Sequence, residues 1–233
     1  MKKVILITFV MLLSALQMSV NAQYKIGDIY NENGIKGVVI SVDASGQHGL
    51  ILHPDGFKGK WCDNSVKMET NANDENNGEI NMKTIEAYLK ETGKSWDLFP
   101  LFQWARDLGE GWYIPANAEL KELAKAVNGG TFEYDEKSIN QFSKIMKKAG
   151  AKKGFINKMP GMPNEWMEIY SSTEADGGVT FSLVFKETKS SSMQTEILGK
   201  LTKRHGKLDL ETTLKNPMNL GITLSYGRAV HKF

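Results

Sequence analysis

The segment Gly111-Trp112-Tyr113-Ile114-Pro115-Ala116-Asn117-Ala118-Glu119-Leu120 constrains this chain more than any other stretch. A turn glycine opens a short aromatic and aliphatic run, and Pro115 then fixes the backbone just ahead of a helix. That helix carries Leu120, Leu123, Ala124 and Val127 at i, i+3, i+4 and i+7, one apolar stripe facing a core. Gly129-Gly130 ends it. The pattern predicts a strand-to-helix joint buried on both sides, near the middle of the chain, on which the flanking segments must pack. Glu119 stands three residues beyond Ala116, the spacing of the second half of a capping box. Ala116 is the expected N-cap; Asn117 is the alternative if the helix starts one residue later.

Before the joint, Tyr24–Ile35 is turn-rich, with Gly27-Asp28 and Asn33-Gly34. The β-branched runs Gly37–Asp43 and His48–His53 flank Ala44-Ser45-Gly46-Gln47 and predict a β-hairpin. Asn81 is placed to cap a helix with Met82, Ile85 and Leu89 on one face, stopped by Gly93. A second helix has Pro100 in its first turn, turns Leu101, Trp104, Ala105 and Leu108 inward, and closes at Gly109. After the joint, Ile139, Phe142, Met146 and Ala149 mark a helix from Glu136 to Gly150. The periodicity then changes. Glu165–Tyr170 runs into Ser171-Ser172-Thr173-Glu174, and Val179, Phe181, Leu183 and Phe185 alternate as a strand. Thr195–Leu201 and Lys207–Glu211 predict two more, and Ile222, Leu224 and Tyr226 a last strand that continues to Phe233. Helices in the middle with strands before and after predict an α+β fold, the last strand returning beside earlier ones.

Met1-Lys2-Lys3, the apolar run from Val4 to Leu16, and Val20-Asn21-Ala22 predict a secretory signal peptide over 1–22, cut after Ala22. The run is shorter than the ~20 apolar residues a membrane span needs. The expected mature chain is therefore secreted, periplasmic or at the cell surface, with no span after cleavage. Losing Lys2 and Lys3 leaves 27 basic residues against 27 acidic, which argues against a nucleic-acid partner. The lone Cys62 allows no internal disulfide, so the core must hold by packing.

No metal or cofactor is expected. The polar run Glu69–Glu79 invites a calcium reading, but counting a loop from Asn73 places Thr84 where the bidentate Glu belongs. His48 and His53 sit at odd separation and face opposite sides of a regular strand. No Gly-x-Ser-x-Gly elbow, His-Glu-x-x-His or phosphate loop is present, and no catalytic residue is assigned.

Four pieces lie in one order: Asn77-Gly78 with Asn81, the Gly111–Leu120 joint, Tyr170-Ser171-Ser172-Thr173-Glu174, and Gly227-Arg228-Ala229-Val230. In these the chain resembles a bacterial exported family typified by the C-terminal domain of collagen-like adhesins. That family has a C-type-lectin-like fold and is distantly similar to formylglycine-generating enzymes. The approach Tyr30-Asn31-Glu32-Asn33-Gly34 and the following hairpin look like the version in secreted proteins of gut-type bacteria. The resemblance implies an N-terminal β-hairpin segment over 23–68 and a C-type-lectin-like domain over 69–233. It also implies that Trp112, Pro115, Glu119, Ser171, Ser172, Thr173 and Arg228 hold the fold, with Arg228 bonding backbone carbonyls or a carboxylate such as Glu174. One departure is Ala116, where the family usually has Thr or Ser.

A formylglycine-generating activity needs a thiol pair, and one cysteine is present. The expectation is a non-enzymatic binding module for glycans or anionic polysaccharide. The irregular segments Lys152–Trp166 and Lys186–Asn219 supply its candidate surface. Lys200, Lys203, Arg204, His205 and Lys207, with Lys152, Lys153 and Lys158, are the cationic candidates, and Trp166 the stacking face. The alternative is an accessory part of a surface assembly whose partner is another surface protein.

Overall fold

The computed structural model describes residues 23–63, 70–132, 135–155, 166–175, 179–187, 193–198 and 225–233 of the 233. The signal segment 1–22 and the segment Lys207–Glu211 lie outside the described residues. The fold is α+β, four α-helices set among nine strands in two sheets among the described residues. Strands β1 (Ile29–Glu32), β2 (Ile35–Val42) and β3 (Gly49–Leu52) form one sheet with β9 (Val230–Lys232), every pair antiparallel. The second sheet runs β4 (Phe57–Lys58), β8 (Ser225–Gly227), β5 (Trp166–Ala175), β6 (Val179–Glu187) and β7 (Met193–Leu198). Its β5–β8 pair is parallel and its other pairs are antiparallel. The helices α1 (Gly78–Thr92), α2 (Pro100–Asp107), α3 (Asn117–Val127) and α4 (Glu136–Lys148) all come between β4 and β5 in sequence.

The expected hairpin is β2–β3, and a second one precedes it. Tyr24–Ile35, expected to be turn-rich, holds strand β1, paired Ile29↔Val38 through Glu32↔Ile35. Asn33 and Gly34 turn the chain at φ 52° and 79°, the left-handed pair that an Asn-Gly hairpin turn requires.

Helix α3 matches its sequence pattern, with Leu120, Leu123, Ala124 and Val127 all buried, and packs against β2 and β5. Helix α1 buries Met82, Ile85 and Leu89 and stops at Gly93 in the left-handed conformation, as expected. Its start differs from the expectation. The N-cap is Asn77, whose side-chain oxygen accepts from the Glu79 amide at 3.1 Å, and Asn81 lies one turn inside the helix. Asn81 is fully buried, so its amide group serves a neighbouring segment instead of its own helix end. The polar run ahead of α1 is likewise occupied: Asp74 Oδ1 accepts from the amides of Asn76 and Asn77, each at 2.8 Å.

The last strand also differs. Where one strand was expected to continue to Phe233, two stand in different sheets, β8 and β9, with Arg228-Ala229 between them. At this crossover the backbone turns from one sheet toward the other, and Arg228 is buried there. The core is one cluster joining both sheets and the helices, with Tyr113, Tyr170, Phe99, Phe102 and Phe155 among its largest fully buried side chains. Cys62 is buried in it beside Trp61. No helix among the described residues is long and apolar enough to cross a membrane.

Candidate functional site

The joint bonds to both sheets. On one side Tyr113 exchanges backbone hydrogen bonds with Val230 of β9, at 3.0 and 2.9 Å. On the other, Pro115 O accepts from the Ser172 amide of β5 at 2.8 Å. This second contact explains an irregularity in β5. The β5–β6 register slips between Tyr170 and Glu174, so residues 171–173 leave the ladder. Their backbone turns instead to the joint and to the segment ahead of α1. Trp61 Nε1 donates to Ser171 O at 2.8 Å, and the Glu174 amide donates to Ala72 O at 2.7 Å.

The side chains complete the bracket. Asn81 Nδ2 donates to Ser172 Oγ at 3.0 Å and to Asp74 O at 2.8 Å, while its Oδ1 accepts from the Asp74 amide at 2.8 Å. Thr173 Oγ1 donates to Asp74 O at 3.0 Å and accepts from the Asn117 amide at 3.2 Å. Glu174 Oε2 accepts from the Thr70 amide and hydroxyl and from the Asn71 amide, at 2.7, 2.8 and 3.0 Å. Thr70, Asn81, Asn117, Ser172, Thr173 and Glu174 are all buried, where an unmatched polar group would be costly.

Glu119 is the centre of this network. Its Oε2 accepts from the amides of Gly78 and Ala116 at 2.9 and 2.8 Å, and its Oε1 accepts from the Tyr113 hydroxyl at 2.7 Å. One carboxylate therefore ties the starts of α1 and α3 to the strand side of the joint. Burial pushes its carboxyl above the ordinary glutamate range, against the opposing pull of the hydrogen bonds from Ala116, Tyr113 and Gly78. Burial, and then the nearby Glu119 charge, push the Tyr113 phenol up as well.

Trp112 packs edge-on against His53 and His231, with ring centroids 4.9 and 5.3 Å away. Gly111 makes room for the His231 ring. The backbone there has φ 81°, and a Cβ would lie 2.4 Å from His231 Nε2. Arg228 donates to the carbonyls of Phe155 at 2.8 Å and Pro54 at 3.3 Å, with its guanidinium over the Phe155 ring. Both of these acceptors are backbone carbonyls, one of the two partner types the resemblance implies.

Trp112, Pro115, Glu119, Ser171, Ser172, Thr173 and Arg228 are thus all buried, the first six in or bonded to the joint and Arg228 beside Pro54 and Phe155. Of the ligand candidates, Lys152 and Lys153 are exposed beyond α4. Trp166 begins β5, and Lys200, Lys203, Arg204, His205 and Lys207 lie outside the described residues, as does Lys158. His48 is exposed and His53 half-buried. Burial, the largest influence, holds the His53 imidazole below its ordinary value. No group of three or more His, Cys, Asp or Glu side chains among the described residues could hold a metal ion. Sequence reasoning missed Asn81 as a bracket and Gly78 as a donor to Glu119. The helix periodicity around Met82, Ile85 and Leu89 could have flagged the first, since Asn81 shares their buried side.

Compared with protein-family models, with curated proteins and with solved structures, the chain matches none.

The N-cap of α3 is Ala116, at φ −77° and ψ 175°. Alanine has no side-chain acceptor, so only the Glu119 half of the capping box exists. The Asn117 and Ala118 amides are taken by Thr173 Oγ1 and by Glu75 O. A serine oxygen at 116 would accept from the Glu119 amide. Ala116→Ser is expected to stabilise the domain by about 0.5–2 kcal/mol. Asn117→Ala is expected to be near neutral, because Asn117 Oδ1 is buried without a partner. Denaturant midpoints of the two variants check this, and a neutral serine together with a costly alanine would contradict it.

Proposed function

We propose that the chain is an exported, non-enzymatic binding domain of C-type-lectin-like fold whose ligand is anionic polysaccharide. The observation that carries this reading is the commitment of the joint. Motif residues such as Glu119, Ser172, Thr173 and Arg228 engage partners inside the fold, so they act as scaffold. Recognition then falls to other side chains, and the sequence outside these motifs is rich in cations: Lys200, Lys203, Arg204, His205 and Lys207, with Trp166 to stack on a sugar ring. Exposed ammonium groups attract sulfate or carboxylate by charge and charge-assisted hydrogen bonds.

The test is a glycan array that includes sulfated polysaccharides, run on residues 23–233 with and without calcium. Binding is expected to be calcium-independent and to weaken with salt, since screening shortens to about 3 Å at molar ionic strength. Lys203→Glu with Arg204→Glu and Lys207→Glu is expected to lower the salt at which heparin releases the protein. Calcium-dependent binding would contradict the absence of a metal from this reading. Failure to bind any glycan would favour an accessory role in a surface assembly.

A further inference from the structure

We infer that a cationic subsite for the same polyanion lies at the end of α4, built from Lys147, Lys148, Lys152 and Lys153 with Lys36 of β2. It rests on the polysaccharide reading above and adds a place on the described surface. The sequence there is Lys147-Lys148-Ala149-Gly150-Ala151-Lys152-Lys153-Gly154, four cations in one turn of chain without an acid among them. All five lysines are exposed. The fifth comes from far away in sequence: a Cβ at Gly150 would stand 3.8 Å from Lys36 Nζ, so that ammonium reaches the turn. Lys147 is directed along it too, its Cε 3.6 Å from the corresponding point at Gly154.

Three features make this a surface for a partner. Among the described residues none of the five ammonium groups makes an ion pair. The carboxylate that contacts the turn, Asp55, uses Oδ1 to accept the Lys152 amide at 3.2 Å and leaves the side chain outward. A helix C-terminus favours cations in its last turn, which accounts for Lys147 and Lys148 but not for Lys36, Lys152 or Lys153. Gathering like charges without internal partners opposes folding, and an anionic ligand relieves that repulsion.

The turn is also fixed in place. The Ala151 amide donates to Met146 O at 3.0 Å and the Phe155 amide to Ser143 Oγ at 2.8 Å, with Phe155 fully buried. A lipid surface fits less well, because stable attachment needs an apolar anchor beside the charges. Here Ala149, Ala151 and Phe155 are all buried. Nucleic acid fits less well too, since the patch offers point-charge lysines without the arginine fork or an exposed ring within it.

The experiment measures binding of heparin, duplex DNA and phosphatidylserine vesicles to residues 23–233. It compares wild type with Lys147→Gln, Lys148→Gln, Lys152→Gln and Lys153→Gln combined. A second variant carries Lys152→Gln and Lys153→Gln alone, which leaves the helix end intact should the fourfold change unfold it. The expected result is at least tenfold weaker heparin binding for the fourfold variant, a smaller loss for the double variant, and a shallower salt dependence in both. Wild type that binds heparin and variants that bind it equally overturn this subsite while leaving the polysaccharide reading standing. Wild type that binds no heparin overturns both. Equal or tighter binding to DNA or to vesicles through these lysines overturns the choice of ligand.

Discussion

Glu119→Ala is expected to unfold the domain at moderate temperature, at a cost of about 4–6 kcal/mol. The change strands the amides of Gly78 and Ala116 and the hydroxyl of Tyr113 in a place without water. Each orphaned buried donor costs about 1–3 kcal/mol, and a whole domain is stable by only about 5–15. Glu119→Gln is expected to cost far less. The glutamine oxygen can accept from both amides, and its NH2 can donate to the Tyr113 oxygen. The two variants therefore separate hydrogen bonding from shape, and denaturant midpoints measure both. A third reading follows from the raised carboxyl. The native state holds that proton more tightly than the unfolded chain. Its contribution is full below the ordinary glutamate range and is lost as pH rises through the raised value. Wild-type stability should decline over that window, and the glutamine variant should lack that decline. Equal midpoints for wild type and Glu119→Ala would contradict the whole account of the joint.

The second large effect is Gly78→Ala, and its sign opposes the usual rule. Alanine in a helix is ordinarily better than glycine by about 0.5–1 kcal/mol. At Gly78 a Cβ would lie 2.0 Å from Ile114 O and 2.9 Å from the Ala116 nitrogen. Both obstacles are backbone, held in place by the joint, so no side-chain rotation relieves the overlap. The first turn of α1 would have to withdraw from the joint and lose the Gly78–Glu119 hydrogen bond. We expect a loss of about 3 kcal/mol or more. Glu86→Ala, at an exposed position of the same helix, should stay within about 0.5 kcal/mol. A Gly78→Ala variant as stable as that control would mean that α1 and the joint do not touch as described.

How far the sequence revealed this arrangement depends on the kind of order involved. Apolar period survives translation into structure because burial depends on local spacing. The α3 stripe at Leu120, Leu123, Ala124 and Val127, and the β2–β3 hairpin, were legible for that reason. Single polar residues were harder. Asn77 and Asn81 have the same side chain a few positions apart, and only the partner across space decides which caps α1 and which braces Ser172. Asn33-Gly34 carried a hairpin signal, but the short strand before it shows one buried residue, too few for a period. The break at Arg228 was hidden because Ile222, Leu224 and Tyr226 alternate toward it without interruption, and a change of sheet leaves no mark in an alternating pattern. Arg228 itself was legible as a bonding group, with the carbonyl partners from Pro54 and Phe155 identifiable only once the loops were folded. For the cations, the run from Lys147 to Lys153 could be read directly, whereas Lys36 joins it by tertiary folding alone.

Strand β9 sets the order in which this molecule can assemble. It pairs with β3 and Tyr113, and Phe233 packs its ring 5.3 Å from Tyr24 and 5.0 Å from Tyr30. The first-made sheet is therefore completed by residues that emerge from the ribosome after every other described element. Until Val230–Lys232 arrive, β3 presents an unpaired edge and the joint lacks one of its two sheets. The first sheet cannot close until Val230–Lys232 have been made. Closing it joins Leu52 to Val230 across all the helices and the second sheet, a slow and cooperative step.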